Sequence, residues 1–166
     1  MLITDGYRDL QAQLHSKGNY GTASLGFGEI VSALVEEIQA KTLLDYGCGS
    51  MRNLAKVLDC DVLYQGYDPA VPAFSAKEPA DLVACIDVLE HIEPELLGNV
   101  LQDLRSLTKR CGFFTVHTGP AVKVLSDGRN AHLIQQPPEW WFPRLSELFK
   151  ISLFKRTPGG FYVVVT

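Results

Sequence analysis

The residues best suited to chemistry lie in the run Leu43-Leu44-Asp45-Tyr46-Gly47-Cys48-Gly49-Ser50-Met51-Arg52-Asn53-Leu54. An apolar start leads to an acid, then to two glycines one residue apart, then to Leu54, Val57 and Leu58 at helical spacing. This order predicts a strand over 43–46, a tight turn and a helix over 51–58. Glycine fits such a turn because it tolerates φ > 0 and has no side chain to hold a ligand off the backbone. A helix beginning there would also present backbone N–H groups that welcome anionic ligand groups. The stretch reads as a cofactor-binding turn.

Charge separates two cofactor classes. A dinucleotide turn carries a third glycine, in G-x-G-x-x-G, for close helix–strand packing beside a pyrophosphate. Arg52 stands at that position here, and Asp45, two residues before Gly47, disfavours a pyrophosphate. An acid there suits a ligand with positive charge. S-adenosylmethionine has an ammonium and a sulfonium, with a carboxylate as its one anionic group, so the acid favours the sulfonium cofactor.

Leu43–Gly49 resembles the first motif of the class I S-adenosylmethionine-dependent methyltransferases: two apolar residues, an acid, then glycines at alternate positions. Asp68, in Tyr64-Gln65-Gly66-Tyr67-Asp68, is similar to the acid that ends their second strand and grips the ribose hydroxyls. Asp81-Leu82-Val83-Ala84-Cys85-Ile86-Asp87-Val88-Leu89-Glu90-His91-Ile92 resembles their fourth strand and the helix start after it, in the small-molecule branch of the family. The resemblance runs from about residue 26 to the end of the sequence. It implies cofactor contact for Asp45, Gly47, Cys48, Gly49, Asp68, Pro69, Ile86, Asp87 and Val88, with S-adenosylhomocysteine as product. Asp87 either faces the methionine end of the cofactor or caps the following helix. Glu90 and His91 read as a pair that fixes local structure. Two departures stand out. Met51 occupies the place of the family's third glycine, and 69–80, with prolines at 72 and 79, is too short for the usual helix, third strand and adenine-binding acid.

A second stretch carries chemistry. After His117-Thr118-Gly119-Pro120 come Leu125-Ser126-Asp127-Gly128-Arg129-Asn130-Ala131-His132. Asp127-Gly128 predicts a turn presenting Arg129, Asn130 and His132. Methyl transfer from a sulfonium is an in-line displacement with a neutral leaving group, so alignment is the main task, and a base helps where the acceptor must shed a proton. His132 is the first candidate for that base, with Asp127 as orienting partner, and His117 is the second. No His, Cys or Asp grouping has metal-ligand spacing, so no metal is expected. Pro137-Pro138 does not stand where amino-group DNA methyltransferases carry their Pro-Pro motif, since Ile86-Asp87-Val88-Leu89 follows the fourth strand instead.

The positioning elements follow from periodicity. Strands are expected at 43–46, 62–67, 81–86 and 113–117, with helices at 51–58, 94–109 and 138–149. Ile151–Arg156 and Phe161–Val165 flank Pro158-Gly159-Gly160 and read as a hairpin. The fold class is α/β: a Rossmann-like, mostly parallel sheet with helices on both faces and a C-terminal antiparallel hairpin. Before β-structure begins, Tyr7–His15 and Glu29–Ala40 are helical, the latter with Ile30, Ala33, Leu34 and Ile38 on one face. By resemblance, residues 1–41 form a helical cap over the cofactor, placing Tyr7, His15 and Tyr20 near it.

Composition bounds the remainder. The 166 residues make one domain, 46% apolar and 20% charged, which is globular. A net charge of −4 gives no field for drawing in a polyanion, so the expected partner is a small-molecule acceptor and not nucleic acid. No apolar run reaches the ~20 residues of a membrane span, no signal core opens the sequence, and the four cysteines form no C-x-x-C pair. A cytoplasmic enzyme is the expectation. The alternative is a non-catalytic subunit that binds the cofactor or a partner, suggested by Met51 and the short 69–80 segment. A dinucleotide oxidoreductase is opposed by Arg52 and the terminal hairpin.

Overall fold

The computed structural model describes residues 1–18 and 21–166. Six strands form one sheet in the order β2-β1-β3-β4-β6-β5. They are β1 Thr42–Tyr46, β2 Leu63–Tyr67, β3 Ala80–Ile86, β4 Thr108–His117, β5 Ile151–Thr157 and β6 Gly160–Val165. The first four run parallel, while β6 is antiparallel to both β4 and β5. The expected fold class is the one observed.

Alternation along the strands builds two cores. Leu44, Val83, Cys85 and Phe114 face one side, where α3 (Leu97–Leu107) and α4 (Pro138–Ser146) cover them with Leu104, Trp141 and Leu145. Leu43, Leu82, Ala84 and Phe113 face the other, under α2 (Gly28–Glu37). Successive strand residues point to opposite faces, so a strand covered on both sides must be apolar throughout. That is why β3 is apolar without a break from Leu82 to Ile86.

Several boundaries move. The helix expected over 94–109 is a 3-10 turn, Pro94–Leu96, followed by α3, and residues 108–109 already belong to β4. Thr108 ends α3 by donating its hydroxyl to the Leu104 carbonyl at 2.8 Å. On α2 the buried face is Val31, Ser32 and Val35; Ile30, Leu34 and Ile38 flank it, and Ala33 is exposed.

The helix expected over 51–58 is absent, and only a 3-10 turn at Leu54–Lys56 forms. Arg52 sits at φ +45°, outside the helical region, with its guanidinium 5.1 Å from the Phe74 ring centre. Asn53 is buried and donates to the Gly21 carbonyl at 3.0 Å, which ties the segment to the N-terminal region. Leu54 still enters the core, so the apolar spacing reports burial without a helix.

The short 69–80 segment holds a single 3-10 turn, Pro72–Phe74, and no strand before Ala80 opens β3. β2 is therefore an edge strand. Its Gln65 accepts from the Glu78 N–H at 3.0 Å, fastening the passing segment beside it.

Candidate active site

In an open α/β sheet, ligands bind beyond the carboxyl ends of the strands. Here the ends of β1, β2, β3 and β4 converge on a cavity of about 360 Å³, a size suited to a small organic ligand. Asp45, Gly47, Cys48, Gly49, Asp68, Pro69, Ile86, Asp87 and Val88 all line it.

Asp45, 2% exposed, accepts from the Tyr64 hydroxyl at 2.6 Å. Burial pushes its carboxyl up to about 6, with the Tyr64 hydrogen bond opposing and Asp68 adding to the rise. Gly47 turns the chain at φ +83°, and a Cβ there would meet Val88 Cγ2 at 2.4 Å. The turn's amides are not offered to a ligand. Gly47 and Cys48 donate to the Tyr67 carbonyl at 2.7 and 3.0 Å, and Gly49 donates to Asp68 Oδ2 at 3.0 Å. The expected anion site at a helix start is thus replaced by a turn whose amides are engaged within the protein, beside two carboxylates. Burial raises the Cys48 thiol, which argues against a thiolate nucleophile.

Asp68 also accepts from the Ala70 N–H at 2.9 Å, and His15 Nε2 stands 3.5 Å from its Oδ2. His15 and Tyr7 come from α1 (Asp5–Ser16), which forms part of the cavity wall. Thr4 caps α1 and also donates its N–H and hydroxyl to Glu93 at 2.9 and 2.6 Å. The Tyr7 hydroxyl donates to the His91 carbonyl at 2.5 Å. Tyr20 lies outside the described residues.

Asp87 does not cap a helix. It adopts φ +51°, accepts from the Thr115 hydroxyl at 2.5 Å, and is followed by a 3-10 turn, Leu89–His91, whose N-cap is Val88. Its position on the cavity wall keeps the ligand-facing alternative.

His91, His117 and His132 also line the cavity. The His132 ring centre lies 4.7 Å from that of His91 and 5.0 Å from that of His117. His132 Nδ1 meets the Gly119 carbonyl at 2.7 Å, so that carbonyl, not Asp127, orients the ring. Asp127 is engaged at the surface, bonding Arg129 through 2.7 and 2.8 Å contacts, and it does not line the cavity. The physical reason is proximity: an acid two residues before an arginine finds it first. Asn130 accepts from the Ala121 and His132 amides at 2.9 Å each, holding the loop closed. Burial lowers both His132 and His91, the latter to about 3, so both imidazoles are neutral near pH 7.

Behind them Glu90 is fully buried. Its Oε1 accepts from the His117 N–H at 2.9 Å, and its Oε2 has no partner among the described residues. Burial, then Asp87, raises its carboxyl well above the usual range. Glu90, His91 and His132 each bring one possible ligand atom within 4.8 Å of the others, a grouping that residue spacing did not show. Sequence spacing hid it because a rim loop folds His132 back onto Glu90-His91.

No protein-family model matches this sequence, and no curated protein matches it either. Solved structures do. An O-methyltransferase family protein from Burkholderia thailandensis aligns at TM-score 0.65 and 15% identity, over 98% of this chain and 58% of that one. The chain thus spans little more than half of that protein. DhpI in its SAH complex aligns at TM-score 0.62 and 16% identity, over 99% of this chain and 98% of that one. The 1,6-didemethyltoxoflavin-N1-methyltransferase of Burkholderia thailandensis, with bound 1,6-didemethyltoxoflavin and S-adenosylhomocysteine, aligns at TM-score 0.66 and 17% identity, over 99% and 89%. The chain has the Rossmann-like fold of class I methyltransferases.

Proposed function

We infer that this chain transfers a methyl group from S-adenosylmethionine to an oxygen or nitrogen of a small-molecule acceptor. The observation that carries the reading is the cavity itself. In a fold shared with proteins holding S-adenosylhomocysteine, its lining brings together the glycine turn, two buried acids and a cluster of three histidines. Similar proteins named as O- and N-methyltransferases support both acceptor atoms.

Asp45 supplies negative charge for the cofactor's cationic end, and Asp68 stands at the end of β2 to accept from ribose hydroxyls. Gly47, Cys48 and Gly49 let the ligand approach the backbone, while Pro69, Ile86 and Val88 give apolar contact and Asp87 faces the methionine end. Alignment of acceptor and methyl then supplies most of the rate enhancement. Where the acceptor carries a proton to be lost, His132 or His117 is placed to take it. Met51 does not obstruct binding, being 42% exposed and outside the cavity wall, which removes one reason for a non-catalytic reading.

Among the described residues no helix is long and apolar enough to cross a membrane. Four free cysteines suit a reducing compartment, the cytoplasm, and the net charge of −4 argues against a polyanionic substrate.

Calorimetric titration tests the assignment. S-adenosylhomocysteine should bind and NAD should bind far more weakly, with Asp68→Ala costing about 1.5–3 kcal/mol of cofactor affinity. Tight NAD binding without binding of the sulfonium cofactor or its product overturns it.

A further inference from the structure

We propose that Glu90, His91 and His132 form a binding site for one divalent transition-metal ion, with an open coordination position facing the cavity. Three independent features point there. One donor atom from each residue already lies within 4.8 Å of the others. Bonds of ~2.0–2.2 Å place donors ~3.4 Å apart around a tetrahedral ion, so a modest side-chain adjustment closes the site. The terminal torsion of Glu90 is of the broad, soft kind that permits it.

The second feature is the state of the ligands. His91 Nδ1 meets the Ala131 carbonyl at 2.7 Å, and His132 Nδ1 meets the Gly119 carbonyl at 2.7 Å. A carbonyl can only accept, so in neutral rings both Nδ1 atoms carry the proton and both Nε2 atoms the lone pair. A histidine that gives its other N–H to a backbone carbonyl has the outer support typical of metal ligands.

The third is the carboxylate. Glu90 Oε1 is secured by the His117 amide, while Oε2 is buried with no hydrogen-bond partner among the described residues. Leaving a buried carboxylate oxygen without a partner is costly, and a cation between it and two imidazoles removes that cost. Two imidazole nitrogens and one carboxylate suit zinc, cobalt, manganese or iron in the divalent state, with water or substrate completing the shell. His91 and His132 lie on the cavity wall and Glu90 behind it, so the remaining position opens inward.

For the ion's role, though not for its binding, this deepens the methyl-transfer reading. It selects acceptors that present a hydroxyl oxygen. On the ion, that hydroxyl gives up its proton more readily, to His117 or to solvent, because the His132 lone pair is committed to the metal. The oxygen then forms a bond to the methyl carbon as the carbon–sulfur bond breaks. Its electron pair stays on sulfur, which leaves neutral S-adenosylhomocysteine.

The test uses tag-free protein stripped with EDTA and dialysed, then titrated with Zn²⁺ by calorimetry. One ion per chain should bind saturably, and Glu90→Gln and His132→Gln, checked for folding by circular dichroism, should each weaken binding at least ~10-fold. Should either variant fail to fold, Co²⁺ added to wild type decides: ring protons of His91 and His132 should show paramagnetic shifts. Absence of saturable binding, undiminished binding in the folded variants, or unshifted rings overturns the site. S-adenosylhomocysteine titrated into the metal-free protein separates the two claims. Cofactor binding without metal binding sinks the site alone, and metal binding without cofactor binding sinks the methyl-transfer reading alone.

Discussion

Replacing Asp45 with asparagine should make the protein more stable at pH 8 and weaken its hold on the cofactor. Burial raises this carboxyl from 3.8 to about 6. The folded chain therefore binds the proton more tightly than the unfolded chain does. The stability this contributes is complete below pH ~4 and is lost as pH rises through 6. A rise of that size, at ~1.36 kcal/mol per pH unit, is worth about 3 kcal/mol, and with 2% exposure solvent screening removes little of it. Asparagine keeps the shape and can still accept from the Tyr64 hydroxyl, but it has no charge to bury. Its advantage over wild type should thus grow from near zero at pH 4 to about 3 kcal/mol at pH 8. Urea denaturation at several pH values measures the difference, and calorimetry with S-adenosylhomocysteine should show a loss of about 1.5–3 kcal/mol. A stability difference between Asp45→Asn and wild type that stays flat from pH 5 to pH 8 would refute the reasoning, because it would mean the carboxyl is not desolvated.

Gly47→Ala should cost roughly 2–5 kcal/mol in denaturation, from the left-handed backbone and from collision with Val88, and Val88→Ala should recover the steric part only. Full recovery would show that the backbone angle costs nothing. Asp127→Asn should leave stability and turnover essentially unchanged, since the exposed pair with Arg129 lies away from the cavity. A large fall in turnover would restore Asp127 to the mechanism. Glu93→Ala removes the acceptor of two Thr4 hydrogen bonds, so amide exchange in α1 should accelerate while β3 and β4 stay protected. Equal acceleration in the sheet would mean that α1 is not a separable unit.

The sheet was legible because covered strands must be apolar and because acids sit where strands end. Asp45 and Asp68 mark those ends at the level of sequence, and both reach the cavity. What escaped was decided by contacts between distant segments. Leu54, Val57 and Leu58 have helical spacing, yet Asn53 is taken by the Gly21 carbonyl and Arg52 by two aromatic rings, so no helix forms. On α2 two apolar stripes compete, and the sheet selects Val31 and Val35. The His132 environment depends on the Gly119 carbonyl, which no residue pattern announces, whereas Asp127 drew attention by type alone.

The place of β6 in the sheet has a consequence for how the protein is made. This strand follows all the others in sequence yet lies between β4 and β5, contributing Phe161, Val163 and Val165 to the buried interior. Vectorial synthesis delivers β1 to β4 first, and they can begin to pair as they emerge. Until residues 160–165 have left the ribosome, β4 keeps an open edge flanked by Phe113, Phe114 and Val116, which the finished protein hides completely. An apolar unpaired edge is a template for another chain. The hazard of aggregation therefore belongs to the nascent polypeptide, and the interval between translation of β4 and arrival of β6 is when a chaperone has most to protect.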